Sequence, residues 1–310
     1  MLNTSVIGVG LIGQAWAIVF ARAGCNVCLW DDKPEALPMA LSTITSQLKT
    51  LQSVNLVDEP EVILSRIKLA TSLDDALSNT EYVQENLPEI LQIKLNIFRQ
   101  IDAVAPLEAI VASSTSSIPS SSFTEALSGR HRCLVVHPVN PPYLIPVVEI
   151  CGAPWTDPQV ISRTRLFMEF LKQKPVTVND EVEGFVLNRL QGALLREAFR
   201  LVERGVVSVE DLDRTVRDGL GLRWSFMGPF ETIDLNAPNG LQDYCKRYGD
   251  MYQKISLEQI SIDQWTDDVI ENAEQQRRAL LPCKGLSERR SWRDSRLMAL
   301  IQHKKQFDES

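Results

Sequence analysis

Apolar and polar positions in the first thirty residues follow two periods in turn. Ser5-Val6-Ile7 is a short apolar strand that runs into Gly8-Val9-Gly10-Leu11-Ile12-Gly13. Ile12, Ala15, Trp16 and Val19 then recur at i, i+3, i+4 and i+7, one stripe of a helix. Gly24 stands where a left-handed residue ends such a helix, and Asn26–Trp30 form a second strand closed by Asp31 and Asp32. The alternation continues with a helix from about Glu35 that carries Leu41, Ile44, Leu48 and Leu51 on one face. Strands follow over 67–70 and 82–84, and then a helix from Pro88, a residue suited to a first turn. Further strands over 109–112, 133–136 and 147–151, a helix over 157–171 and a strand over 175–178 complete the run. Such alternation predicts an α/β fold, a Rossmann-like doubly wound sheet with some antiparallel addition.

After Glu183 the period changes. Residues 184–203 read as one long helix bearing Phe185, Leu187, Leu190, Leu194 and Leu201, and Ser208 with Asp211 forms a capping box that opens another. No strand pattern follows. Residues 1–183 are therefore expected to form the sheet domain and 184–310 an all-α C-terminal domain for substrate and dimerisation, since apolar helices with a mixed-charge surface suit packing on a twin subunit.

Composition narrows the class. In a chain of 310 residues, 44% apolar and 23% charged content excludes disorder. With 32 basic against 40 acidic residues, the net charge of -8 argues against nucleic acid as a partner but leaves a small anion open. Six scattered cysteines suit a reducing cytoplasm rather than a disulfide framework. Cys25 and Cys28 form C-x-x-C, but no second pair follows at zinc spacing, so they read as small core residues and no metal is expected. The stretch 1–21 lacks charged side chains, yet no basic region precedes it and Asn3, Thr4 and Gln14 interrupt it, so neither a signal nor a membrane span is expected.

That stretch carries a fingerprint instead. In G-x-G-x-x-G between a strand and a helix, Gly8, Gly10 and Gly13 permit a tight turn, close approach to a pyrophosphate and close helix packing, while the helix start favours the phosphate charge. Asp31, twenty-three residues after Gly8 and at the end of a second strand, suits the adenosine ribose hydroxyls and repels a 2'-phosphate. NAD is expected over NADP.

An enzyme that oxidises an alcohol with NAD needs a group to take the hydroxyl proton, and histidine suits neutral pH. His131 lies between two arginines and His303 in a Lys-rich tail, both surface contexts. His137 ends an apolar strand and begins His-Pro-Val-Asn-Pro-Pro, at a sheet end that faces the ligand crevice; a satisfied core histidine is the alternative. Glu149, in the apolar run Pro146-Val147-Val148-Glu149-Ile150-Cys151, would be costly to bury unpaired and is placed to be its partner. Ser113-Ser114-Thr115-Ser116-Ser117 brings hydroxyls to the same crevice, or forms a polar turn with helix capping.

These motifs, with Gly184-Phe185-Val186-Leu187-Asn188-Arg189-Leu190-Gln191, together resemble the 3-hydroxyacyl-CoA dehydrogenase superfamily, including the twelve-residue spacing from His137 to Glu149. Within it the chain is similar to the lambda-crystallin / L-gulonate 3-dehydrogenase branch, as are Leu220-Gly221-Leu222-Arg223-Trp224 and Arg290-Ser291-Trp292-Arg293-Asp294, so the resemblance spans essentially the whole chain. It implies that His137 accepts the substrate proton, Glu149 orients His137, Ser116 bonds the substrate oxygen and Asn188 is an active-site asparagine. For the cofactor it implies turn backbone from Leu11 and Ile12, the ribose at Asp31, and Glu89 and Lys94 near the nicotinamide half. From the residues alone, Glu89 and Lys94 read as an exposed pair on a helix. Ser114, where the acyl-CoA enzymes have Asn, and Pro138-Val139, where they have aromatic residues, depart toward the gulonate branch.

The expectation is thus a cytoplasmic, homodimeric, NAD-dependent 3-hydroxy acid dehydrogenase of the L-gulonate type. Its partner is a small anionic 3-hydroxy acid or a CoA thioester of one, with neither nucleic acid nor membrane involved. The alternatives are a short-chain 3-hydroxybutyryl-CoA dehydrogenase and, from another class, a crystallin-like structural or NAD-binding protein without turnover.

Overall fold

A computed structural model describes residues 2–259 and 265–306. The sheet region runs β1 (Asn3–Ile7), α1 (Leu11–Arg22), β2 (Asn26–Trp30), α2 (Ala36–Ser53), α3 (Pro60–Leu64), β3 (Ile67–Leu69), α4 (Leu73–Leu77), β4 (Tyr82–Glu85), α5 (Leu91–Val104) and β5 (Ile110–Ser113). It continues through α6 (Ser121–Thr124), β6 (Cys133–Pro138), β7 (Val147–Gly152), α7 (Pro158–Phe170) and β8 (Lys174–Val178). The remaining helices are α8 (Leu187–Glu203), α9 (Val209–Arg214), α10 (Gly221–Trp224), α11 (Pro229–Asp234), α12 (Gly240–Glu258), α13 (Asp267–Leu280) and α14 (Leu286–Lys305), with a π-helical stretch between α9 and α10.

The eight strands form one sheet in the order β3-β2-β1-β4-β5-β6-β7-β8, parallel except where β7 runs against β6. Strands in this arrangement are covered on both faces, which is why they read as nearly unbroken apolar runs. Leu134 and Val136 face one core with α1, α2 and α7, whereas Cys133 and Val135 face the other with α4 and α5. Order reverses between β1 and β4, and ligands bind beyond the carboxyl ends of the strands at such a point. Burial pushes the Cys25 thiol up to about 11, as befits a small core residue. Among the described residues, no helix is long and apolar enough to cross a membrane.

The chain divides into two compact units: residues up to Arg189 with the end of α14 from Trp292, and Leu190–Ser291. The sequence reading divides it at Glu183 and keeps the C-terminus with the helical part. From Trp292 onward the last helix falls with the sheet unit, where Met298 is buried in the core and Leu297 and Ile301 pack against it. Residues 260–264 and 307–310 of the expected helical domain lie outside the described residues. Two helix starts also differ from expectation. α5 begins at Leu91 rather than Pro88, because the preceding residues extend to carry Glu89 toward the loop after β5. α8 begins at Leu187 rather than Gly184, because Gly184 and Phe185 hold φ of 73° and 49°, which no right-handed helix admits.

Gly13 secures the first crossover. A Cβ there would lie 1.9 Å from the Gly8 carbonyl oxygen, so α1 can approach β1 this closely only with hydrogen at that position. Gly13→Ala should therefore lower stability by about 1–3 kcal/mol or more. Gly10→Ala, whose Cβ meets nothing within 4 Å, should stay within about 0.5 kcal/mol of the wild type in urea unfolding.

Candidate active site

The glycine-rich turn is assembled from three different requirements. Gly8 holds φ of 90° and its N–H donates to the Trp30 carbonyl at 2.8 Å, which turns the chain out of β1. Gly13 is needed for packing. Gly10 has φ of -64° with open space at its Cβ position, so neither backbone nor neighbour demands glycine there. The clearance lies at the start of α1, where the Leu11 and Ile12 amides open the helix and no acid stands in the first turn. This is the cradle that a dinucleotide pyrophosphate requires. Asp31 is held at its lip, accepting the Val9 N–H at 2.8 Å and the Lys33 N–H at 3.0 Å. The residues present thus fit NAD.

Beyond β4 and β5, Glu89 and Lys94 go separate ways. Lys94 is 1% exposed, and its ammonium protons go to both oxygens of the buried Glu85, at 2.8 and 2.9 Å, and to the Leu87 carbonyl at 2.9 Å. It therefore lies beneath the crevice, neither on an exposed helix face nor paired with Glu89. Glu89 gathers the loop after β5, accepting the Thr115 hydroxyl at 2.5 Å and the Ser116 and Ser117 amides at 3.0 and 2.9 Å. Burial pushes its carboxyl up, but hydrogen bonds from Thr115 and Ser117 outweigh that and hold it below the ordinary value.

The five hydroxyls of residues 113–117 are used unequally. Ser113 donates to Glu85, Ser114 to Asn86, and Thr115 and Ser117 to Glu89. Among the described residues, only the Ser116 hydroxyl of this run has no protein partner.

His137 and Glu149 are directly opposite in the antiparallel β6/β7 register, so twelve residues of separation become one cross-strand pair. His137 Nδ1 lies 2.8 Å from Glu149 Oε2, with 6% and 2% exposure of the two residues. Glu149 Oε1 accepts the Val186 and Leu187 amides at 2.8 and 2.9 Å, at the start of α8. A carboxylate accepts from Nδ1–H, which leaves Nε2 of a neutral ring as the proton acceptor. Burial pushes the Glu149 carboxyl up, but the bonds from His137 and from the Leu187 and Val186 amides outweigh it, so it stays ionised below the usual range. At the second residue of α8, Asn188 Nδ2 donates to the Ser116 carbonyl at 2.8 Å. A single hydrogen-bonded chain therefore joins His137, Glu149, the start of α8, Asn188, Ser116 and Glu89.

Sequence reasoning missed Glu85, Gln84 and Asn86, which build the crevice floor. The available signal was a Gln-Glu pair ending an apolar strand that must be buried on both faces.

Known proteins resemble this chain along nearly its whole length. The model of "3-hydroxyacyl-CoA dehydrogenase, NAD binding domain" matches residues 3–181, and that of "3-hydroxyacyl-CoA dehydrogenase, C-terminal domain" matches residues 184–279. Lambda-crystallin of Oryctolagus cuniculus is 39% identical over 307 residues, which is 97% of this chain and 96% of that protein. An L-carnitine dehydrogenase of Pseudomonas putida is 32% identical over 303 residues, 96% of this chain and 92% of that protein. The solved structure of 5-formyl-3-hydroxy-2-methylpyridine 4-carboxylic acid 5-dehydrogenase, described as an NAD+ dependent dismutase, has a TM-score of 0.82 and 30% identity. That match covers 97% of this chain and 98% of the other.

The Glu149 pairing sets an acid limit. A carboxyl with a lowered pKa in the fold contributes stability that is fully present above its unfolded value, near 4.5, and is lost as pH falls through its folded value. Urea unfolding followed from about pH 6 to about pH 3 should show this loss in the wild type. Glu149→Gln should start less stable and lose less across that range, and an equal slope in both proteins would contradict the assignment.

Proposed function

Because the chain belongs to the 3-hydroxyacyl-CoA dehydrogenase family, we propose that it oxidises the 3-hydroxyl of a small, free 3-hydroxy acid, with L-gulonate the leading candidate. It is an NAD-dependent dehydrogenase acting on a CH–OH group. The observation that carries the oxidation of a hydroxyl is the His137–Glu149 pair anchored on the start of α8. Nε2 of His137 takes the hydroxyl proton, and Glu149 stabilises the imidazolium that forms, a role typically worth about 10²- to 10⁴-fold in rate. The Ser116 hydroxyl bonds the substrate oxygen, and Asn188 holds the Ser116 peptide in place for it. Bound NAD supplies the hydride acceptor. Gly8, Gly10, Gly13 and the Leu11 and Ile12 amides hold its pyrophosphate, and Asp31 takes the ribose hydroxyls. Glu89 lies on the nicotinamide side, and Lys94 supports that side from below.

A free acid rather than a CoA thioester is favoured by Ser114, whose hydroxyl is absorbed inside the protein, and by similarity to a carnitine dehydrogenase, since carnitine is itself a free 3-hydroxy acid. The six free cysteines suit a cytoplasmic setting. The unit Leu190–Ser291 exposes Leu222, Phe226, Phe230 and Leu235 at 65–74%, an apolar surface that suits pairing with a second copy. Sedimentation should then return the mass of a dimer, and a monomer at micromolar concentration would overturn the pairing.

The decisive test is a panel of L-gulonate, L-carnitine, 3-hydroxybutyrate and 3-hydroxybutyryl-CoA with NAD, repeated with NADP. Turnover of a free acid with NAD, slower with NADP, is expected. Turnover of the thioester alone would reassign the substrate class, and none on any compound would point to a binding or structural protein. His137→Gln should lower kcat by about 10²-fold or more while NADH affinity stays within about threefold.

A further inference from the structure

Gln84 has no solvent exposure and lies on the face of β4 opposite Glu85. Its carboxamide meets three groups at once. Oε1 accepts the Tyr82 hydroxyl at 2.8 Å, and Nε2 donates to Ser114 Oγ at 2.7 Å and to the Val136 carbonyl at 3.3 Å. The reach to Val136 crosses a whole strand. It is possible because the residue of β5 opposite Gln84 is Ala112, which places only a methyl group in the way. The β5/β6 register ends at Ser113 against Val135, so Gln84 bonds β6 one residue past the point where β5 stops. The carbonyl it bonds belongs to the peptide that leads into His137.

Its other contact leads to Ser116. Ser114 Oγ also accepts the Trp16 indole N–H at 3.0 Å and donates to Asn86 Oδ1 at 2.7 Å, so this hydroxyl is saturated within the protein and pins the point where the chain leaves β5. Two residues later comes Ser116. Trp16 stands on α1, the helix of the glycine-rich turn.

We propose that Gln84 is the positioning residue that sets the Ser116 loop and His137 in register, tying the exit of β5 to the peptide ahead of His137. This rests on the reading of His137 and Ser116 as the groups that meet the substrate hydroxyl. A carboxamide suits the task because one planar group offers an acceptor and two donors in fixed directions. An apolar side chain of equal length fills the space and supplies none of them. Misplacement of reacting groups by about 1 Å is worth roughly 10²-fold in rate, so a loosened register shows in turnover before it shows in cofactor binding.

The test compares full-length wild type with Gln84→Met, Ser114→Ala and Tyr82→Phe. It reads steady-state kinetics on the hydroxy-acid panel and the Nδ1 proton resonance of His137 in protein labelled with ¹⁵N-histidine. Gln84→Met should shift or broaden that resonance and lower kcat about 10- to 100-fold, with KM for NAD within about threefold. Ser114→Ala removes the link from Gln84 to the loop, together with the bonds to Trp16 and Asn86, and keeps the bond from Gln84 to Val136. It should raise KM for the hydroxy acid while leaving the resonance in place, and it keeps the loop half of the proposal testable if Gln84→Met fails to fold. Tyr82→Phe keeps both donors of Gln84 and should change neither readout by more than about twofold. If Gln84→Met and Ser114→Ala lower only the melting temperature, with kcat, KM and the resonance unchanged, Gln84 is a core residue and the proposal falls. Should the wild type oxidise nothing in the panel, the functional reading falls instead. The resonance in Gln84→Met then decides alone, and an unmoved signal overturns the proposal.

Discussion

Glu149 stands in an apolar strand at 2% exposure, where an unpaired carboxylate would be costly, and both of its oxygens are engaged. One oxygen faces His137 and the other takes two amides at the start of α8. The same pairing that lets the acid be buried selects the histidine tautomer and seats the helix that carries Asn188. Asn188 in turn holds the Ser116 peptide, so the geometry of the crevice depends on this carboxylate. It also explains a strained backbone. Phe185 at φ 49° costs about 1–2 kcal/mol for a left-handed non-glycine residue. Hydrogen bonds to a charged acceptor contribute about 1.5–3 kcal/mol each, so the two amides beyond Phe185 outweigh that strain.

Beneath the crevice, the ends of β4 and β5 carry polar residues on both faces of the sheet. Gln84 and Ser114 lie on the α1 side, and Glu85, Ser113 and Lys94 on the α5 side. Polar groups this deep are tolerated when every partner is in place, and they then make the surroundings rigid. Removing one member of the Glu85–Lys94 pair would leave a buried charge at a cost of about 3–5 kcal/mol. The strand ends can therefore hold hydroxyl and imidazole groups toward a ligand without collapsing onto them.

Much of this was legible in the residues. Strand and helix periods identify the sheet, the glycine spacing identifies the turn, and an acid in the apolar run of β7 signals a partner. The helix starts were less legible. Pro88 is as compatible with an extended segment as with a first turn, and the choice was made by Thr115, Ser116 and Ser117, distant in sequence, which draw Glu89 away. Gly184 and Phe185 carry helical apolar spacing, yet the left-handed turn they adopt answers to Glu149 on another strand. The tail read as part of the helical domain because its period is helical, and periodicity carries no information about which core the apolar face of a helix will meet.

The chain by itself determined the fold class, the dinucleotide turn and the candidate pair His137 and Glu149, because each is encoded in local period or short spacing. Only the tertiary structure decided that Lys94 serves Glu85, that Glu89 gathers the Ser116 loop, that four of five hydroxyls in 113–117 are absorbed by the protein, and that Gln84 reaches across β5 to Val136. Those outcomes turn on which buried donor meets which acceptor. Sheet register sets that choice, through contacts between residues tens of positions apart that no local pattern records.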